Sequence, residues 1–553
     1  EVLGVERVGR NDNFFELGGH SLLALSVLER MRAQGMAVQV RTLFQQPELA
    51  AFTLAVAQNR DRHDVVVPPN LIPDNCQAIR PEMLPLIDLD ARQIERIEAA
   101  IPGGSGNIQD IYPLAPLQEG ILFHHLQPQG DVYVITHLLS FDSQARLESF
   151  VANFNQVIMR HDILRTAVLW EELDQPVQVV CRKAQIQIEW LSDETDVSDT
   201  VVERLNFYTD PRCPRIDVSR APMIRTVCAY DAEQGRWLLQ LISQHLVMDH
   251  ATLELIVEEI SLIQDGREAD LPEPIPFRRF VVQAQQGMSR VEHEAFFTQV
   301  LGDVDESTAP FGLLDVQRDG QAIVEARLPL ADDLSVRVRQ QAQRYGVSAA
   351  ALFHLAWALV VARSTGKDDV VFGTVLFGRM QGGEGADRAM GMFINTLPMR
   401  IKLGMRTVVQ SLQETHAGLT DLMHHEHASL SLAQRCSGLA GGTPLFTGLL
   451  NYRHSVEPVA GGADGIWEGM ALIGGGERTN YPIDMTVDDL GRSFQLVGHI
   501  HESFSAQKLC EYMQSAVEGI VAALAEQPQQ TLGDIELLKD AERAQLQALG
   551  ENP

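Results

Sequence analysis

The stretch between Arg60 and Ile108 limits what this chain can become more than any other. It carries Pro68-Pro69, Pro73, Pro81 and Pro85, then Gly103-Gly104-Ser105-Gly106, around one short helical pattern at Ala91 to Ala100. Proline fixes φ and removes backbone donors, and clustered glycine favours no single conformation, so no continuous helix or strand can run through it. The expectation is a linker over 61–107 joining two separately folded parts. A length of 553 residues agrees with this, since one domain ordinarily takes about 100–200 residues.

Residues 1–60 hold six acids (Glu1, Glu6, Asp12, Glu16, Glu29, Glu48) against six arginines (Arg7, Arg10, Arg30, Arg32, Arg41, Arg60). Leu22, Leu25 and Leu28 recur at helical spacing with Leu23, Val27 and Met31 beside them, and 48–58 reads as another helix, so this part is a small helical bundle. Beyond the linker, helical patterns alternate with short apolar strands. Leu147, Phe150, Val151, Phe154 and Val157 mark a helix, and 177–181 and 186–190 read as strands. A second pass fills 281–553, with a helical region over 332–364, strands at 369–376 and 443–453, and a last helix over 505–525. That alternation is α/β and divides the larger part into 108–280 and 281–553.

Charge narrows the function. The net charge is −30, and such a field repels nucleic-acid phosphates and anionic lipid surfaces, so neither is an expected partner. The longest apolar run, 349–362, is shorter than the ~20 residues a membrane span needs and contains His354, so it reads as a core helix. Six cysteines lie far apart without a CxxC pair, which suggests neither zinc nor a disulfide framework and fits a cytoplasmic, reducing setting. No charged-then-apolar signal opens the chain, which reads as a piece of something longer.

Ser21 follows Gly18-Gly19-His20 at the start of the helical pattern SLLALSVLERM. A serine there caps a helix, worth about 1 kcal/mol. The two glycines also allow close backbone approach, and the unpaired N–H groups of a helix start favour a phosphodiester on the hydroxyl. The string DNFFELGGHSLLA resembles the peptidyl carrier proteins of nonribosomal peptide synthetases. The resemblance implies a four-helix carrier bundle and 4′-phosphopantetheine attached covalently to Ser21.

The strand-like run 237–242 leads into Ser243-Gln244-His245-Leu246-Val247-Met248-Asp249-His250 and then a helical pattern over 251–263. His245 and Asp249 thus occupy a strand-to-helix crossover, a common place for chemistry in α/β proteins. Around them, YPLAPLQEGILFHHL (112–126), RHDILRT (160–166), VVFGTVLFGR (370–379), MGMFINTLPMR (390–400) and NYRHS (451–455) occur in the order seen in condensation domains. Over 108–553 the chain resembles that family, which implies two chloramphenicol-acetyltransferase-like lobes arranged as a V. The family's HHxxxDG signature aligns with Gln244, His245, Asp249 and His250; Gln244 replaces the first histidine and His250 the glycine. A neutral amide can still donate and accept as an imidazole does.

The resemblance implies an acyltransferase that joins a carrier-bound aminoacyl or peptidyl donor to the amine of a downstream carrier-bound acceptor. An α-amine has pKa about 7.7–8.0, so a useful neutral fraction exists near pH 7. His245 is accordingly assigned a hydrogen bond to the attacking amine or the tetrahedral intermediate, with general-base transfer as the other role. Asp249 is expected in a structural ion pair, with Arg379 the first candidate partner and Arg165 the second. Asn395 is expected in the cleft by resemblance, while a turn or cap role stands equally open. No metal site is expected: His424, His425 and His427 sit at a helix end without a second ligand group. His124 and His125 read as the continuation of a helix near the cleft.

Three other readings use the same fold: an epimerisation domain, a cyclisation domain, and a non-catalytic recruitment domain suggested by Gln244 and His250. FINTLPMR and the directly attached carrier favour condensation, and cyclisation would place Asp at position 244. The tail LLKDAERAQLQALGENP resembles the lead-in to an adenylation domain. Expected partners are therefore that adenylation domain, the acceptor carrier of the same synthetase and a phosphopantetheinyl transferase. The donor's stereochemistry stays open between a D-residue and an L or achiral one.

Overall fold

The computed structural model describes residues 2–19, 21–34, 36, 38, 40–58, 66–126, 133–191, 200–208, 216–314, 323–379, 385–440, 443–454, 469–477, 481–539 and 542–544. His20, Cys213, Ser455 and the tail from 545 lie outside them, as does the side chain of Ser21.

The N-terminal unit has three helices among its described residues, α1 (Ser21–Ala33), α2 (Val40–Gln45) and α3 (Leu49–Gln58), where four were expected. Turns precede α1: Asn13 Oδ1 accepts from the Phe15 N–H at 2.8 Å and Asp12 accepts from the Gly9 N–H, so side chains take the donors a helix would need. Phe14, Phe15, Ala24, Leu25, Leu28, Leu43, Phe44 and Phe52 form its core.

The expected linker is largely folded. Helix α4 (Ala91–Ala100) opens with a capping box on Asp90 and Gln93. Its Ile94 and Ile97 join Ile72, Ile79, Leu84, Ile87, Leu89 and Ile101 in a core shared with residues of three strands described next. Asn70 donates to the Gln109 carbonyl at 2.8 Å, and Arg182 pairs with Asp74 at 2.8 Å. Prolines break regular structure without preventing burial, so composition alone overstated the freedom of this stretch.

The next part runs β1 (Ile108–Pro113), α5 (Pro116–His125), β2 (Val134–Phe141), α6 (Gln144–Arg160), β3 (Thr166–Leu169), β4 (Val177–Cys181), β5 (Ile188–Trp190), α7 (Val201–Phe207), β6 (Ile224–Asp231), β7 (Arg236–Gln244) and α8 (His250–Gln264). The five apolar positions expected on α6 are all buried. β5 starts later than expected because Asn155 takes both the N–H and the carbonyl of Ile186.

The remainder runs α9 (Arg278–Gln286), α10 (Arg290–Leu301), β8 (Ile323–Pro329), α11 (Asp332–Arg344), α12 (Ala349–Thr365), β9 (Asp369–Leu376), β10 (Asn395–Lys402), α13 (Val408–His424), α14 (Leu430–Arg435), β11 (Gly448–His454), β12 (Met470–Glu477), β13 (Ile483–Asp489), β14 (Phe494–His501) and α15 (Ala506–Glu526). The helical region expected over 332–364 is two helices, broken at Gly346 with φ +62° and bent by 109°. α12 is buried from Ala351 to Ala362, and burial holds His354 down at about 4. Among the described residues no single helix is long and apolar enough to cross a membrane.

The sheets have the orders β1-β4-β3, β12-β2-β7-β6-β5 and β10-β9-β11-β13-β14-β8. β12 therefore leaves the second half to pair antiparallel with β2 of the first, with Met470 opposite Phe141. α9 spans the division expected at 280. The two halves are interlocked rather than merely adjacent.

Candidate active site

The site is built at the end of β7. This central strand carries Gln240 to Gln244 buried between β2 and β6, and the chain then turns through 245–249 into α8. His245 is held by its backbone: its N–H donates to the Tyr133 carbonyl at 3.0 Å and to Gln244 Oε1 at 2.8 Å. His245 is 8 % exposed, and its buried Nδ1 has no hydrogen-bond partner among the described residues.

Asp249 is the N-cap of α8, its Oδ1 accepting from the Thr252 N–H at 2.8 Å. The same carboxylate receives Arg379 in a fork: Nη1 donates to Oδ2 at 2.9 Å and Nη2 to Oδ1 at 3.1 Å. Both side chains are 0 % exposed. Arg379 Nη2 also donates to the Ala389 carbonyl, and the Phe393 N–H donates to Asp249 at 3.3 Å. The guanidinium carbon lies 4.1 Å from the Phe393 ring centroid and 4.9 Å from that of Phe377, so two aromatic faces add cation–π attraction where water is excluded.

Arg379 follows Gly378, whose φ of +70° no β-carbon tolerates well and where a Cβ would strike the carbonyl oxygen of Phe393. The second half thus inserts 389–393 against the first half's core, with Met390, Met392 and Phe393 packed beside Leu246, Val247 and Met248. His245, Asp249 and Arg379 are brought together at this junction.

Arg165 is elsewhere. Its guanidinium bonds to the carbonyls of Ile158 and Cys181 and to Gln109 Oε1 at 2.9 Å, fastening the start of β3 to its neighbours. Asn395 is occupied by a turn: Nδ2 donates to the carbonyls of Glu426 and Ala428, each at 2.7 Å. Near that turn His425 Nδ1 meets His293 Nδ1 at 2.9 Å and its ring stacks on Phe296 at 4.0 Å. Burial pushes His425 down to about 3 and His427 to about 4, values of core imidazoles.

The N-terminal unit rests on the second half. The Phe15 ring meets His416 of α13 edge-on at 5.1 Å, Phe44 stacks beside the same ring at 6.0 Å, and Arg41 pairs with Asp421 at 3.3 Å. Phe377 and Met423 pack against its core. The α1 start has the features a phosphodiester needs. Gly18 has φ +88°, a Cβ on Gly19 would run into the Phe14 ring, and the first turn of this 13-residue helix holds no acid.

A family model described as "Condensation domain" matches residues 108–547, and one described as "Phosphopantetheine attachment site" matches residues 1–56. The chain belongs to the condensation-domain family. Its carrier domain precedes the condensation domain, which has the chloramphenicol-acetyltransferase-like α/β fold. Malpinin synthetase of Mortierella alpina is 46 % identical over 545 residues, 98 % of this chain and 7 % of the relative. Malpibaldin synthetase of the same organism is 44 % identical over 530 residues, 96 % of this chain and 9 % of the relative. The chain therefore spans less than a tenth of the length of either relative. The first condensation domain of the calcium-dependent antibiotic synthetase, solved with a substrate analogue, superposes with a TM-score of 0.60 at 19 % identity, over 78 % of this chain and 99 % of that one. That likeness shows the fold.

His125, expected as the continuation of a helix near the cleft, does end a helix there, but its contact was not foreseen. At the end of α5, its Nδ1 lies 3.4 Å from Gln244 Nε2. The HH pair in QEGILFHHL was the available signal, but nothing in spacing tells which strand a helix end will meet.

Proposed function

We propose that this chain forms amide bonds in nonribosomal peptide synthesis, with the carrier domain presenting a donor through Ser21 and His245 acting on the amine of an acceptor. When attached, the phosphopantetheine supplies the thiol that carries the acyl group as a thioester; amide formation joins that acyl group to an amine and releases the thiol. Ser21, with Gly18 and Gly19 before it, is the residue that would hold the group.

The observation that carries the reading is the buried Asp249–Arg379 fork, which fixes the turn bearing His245 against a segment from the other half of the domain. Positioning of this kind accounts for large rate gains when the nucleophile is already neutral. His245 holds the amine by a hydrogen bond and can accept the proton the nitrogen loses as its bond to carbon forms. Asp249 and Arg379 touch no substrate in this reading; they keep His245 in place. A downstream acceptor carrier, an adenylation domain and a phosphopantetheinyl transferase are the partners this chemistry requires.

The test has two arms. Ser21→Ala should gain no phosphopantetheinyl mass from coenzyme A and a transferase, and modification of that variant would remove Ser21 from the reading. His245→Ala should keep its fold and lose about 10²–10⁴-fold in amide formation; full activity would remove His245.

A further inference from the structure

We infer that His125 is a positioning residue for His245, acting through the Gln244 side chain. The inference rests on the assignment of His245 above. Gln244 is fully buried, and both ends of its amide are committed: Oε1 accepts from the His245 N–H at 2.8 Å, and Nε2 lies 3.4 Å from His125 Nδ1. An amide NH₂ only donates, so His125 Nδ1 must accept, which fixes His125 as the neutral tautomer with its proton on Nε2. The imidazole thereby selects the amide orientation that presents Oε1, rather than NH₂, to the His245 backbone. With the amide reversed, two donors would face each other in a buried place, a costly arrangement.

The helix bearing His125 is itself anchored on the far side of His245. Gln118, near the start of α5, donates from Nε2 to the Leu246 carbonyl at 2.8 Å and accepts from the Ala115 N–H at 2.9 Å. α5 consequently grips the chain immediately before and immediately after His245, at Gln244 and at Leu246. His125 is 7 % exposed, so the contact is shielded from competing water. A chain with glutamine at 244 thus finds its imidazole on another element.

The test uses the full chain with Ser21 loaded from N-acetylglycyl-coenzyme A and a mixture of aminoacyl N-acetylcysteamine thioesters as acceptors, products being read by mass. His125→Ala should lower kcat by about 10²-fold, the scale of a misplacement of about 1 Å, with acceptor KM nearly unchanged. His125→Asn, whose Oδ1 stands close to where Nδ1 was, should restore most of the rate. His125→Gln, whose amide reaches past that point, should not.

A second readout is independent of turnover. Histidine ¹⁵N spectra of the unloaded chain should show His125 unprotonated at Nδ1, and His125→Ala should move the His245 resonances while thermal unfolding changes little. A proton on His125 Nδ1, a wild-type rate in His125→Ala, or equal rescue by Asn and Gln would each overturn the inference. If His245→Ala loses activity while His125→Ala does not, only the positioning role falls; if His245→Ala keeps full activity, the assignment beneath it falls.

Discussion

Arg379 and Asp249, 130 residues apart in sequence, meet in a two-pronged ion pair from which water is wholly excluded. The pair costs desolvation on both sides and is compensated by further bonds from Thr252, Ala389 and Phe393. Its value is therefore in fixing one arrangement of two halves, with His245 on the turn between them.

Removing one partner leaves the other charged and buried, so Asp249→Asn and Arg379→Met should each lose about 3–5 kcal/mol, far more than an exposed pair would. The double variant should lose much less than the sum. Denaturant unfolding of all four proteins measures the coupling, and a value near zero would make the pair energetically irrelevant.

Two glycines with the same φ of +70° offer a controlled comparison. Gly366 ends α12 with nothing within 4 Å of an added Cβ, whereas at Gly378 a Cβ collides with the Phe393 backbone. Gly366→Ala should cost about 1–2 kcal/mol, the intrinsic penalty of a left-handed residue. Gly378→Ala should cost more and also lower activity, because the clash displaces the residue adjoining Arg379. Equal melting temperatures would contradict this.

Carrier docking should depend on pH through His416. Burial holds its imidazole at about 4, below the ordinary 6.5. An undocked His416 takes up a proton more readily, so docking is favoured above about 6.5 and weakens as pH falls from there toward 4. Fluorescence transfer between labels on the carrier and on α13 should decline over that window in the parent and much less in His416→Phe.

Limited proteolysis should leave 72–107 joined to the condensation domain. Ile94, Ile97 and Ile101 are buried there, and Asn107 accepts from the Lys183 N–H at 2.9 Å. Early cleavage within this stretch would show that its core does not hold in solution.

Periodicity fixed the identity of most elements. The α6 stripe, the α4 range and the strand–turn–helix around His245 were all legible, because apolar spacing is a local property that burial then satisfies. The motif order likewise carried the family, and Arg379 stood first among the partners for Asp249. What sequence could not decide was every relation that depends on where distant elements meet. The break at Gly346 separates α11, which buries one face, from α12, which is buried all round. The return of β12 to the first sheet depends on a free strand edge, β2, that no local spacing reveals. Prolines in 68–85 disclose an irregular backbone but not the apolar surface that covers it. Arg165 and Arg379 are both arginines in motif positions, and only the packing of 389–393 against α8 decides which one reaches Asp249. A side chain's type is written in the sequence, while its partner is fixed by the three-dimensional path of the whole chain.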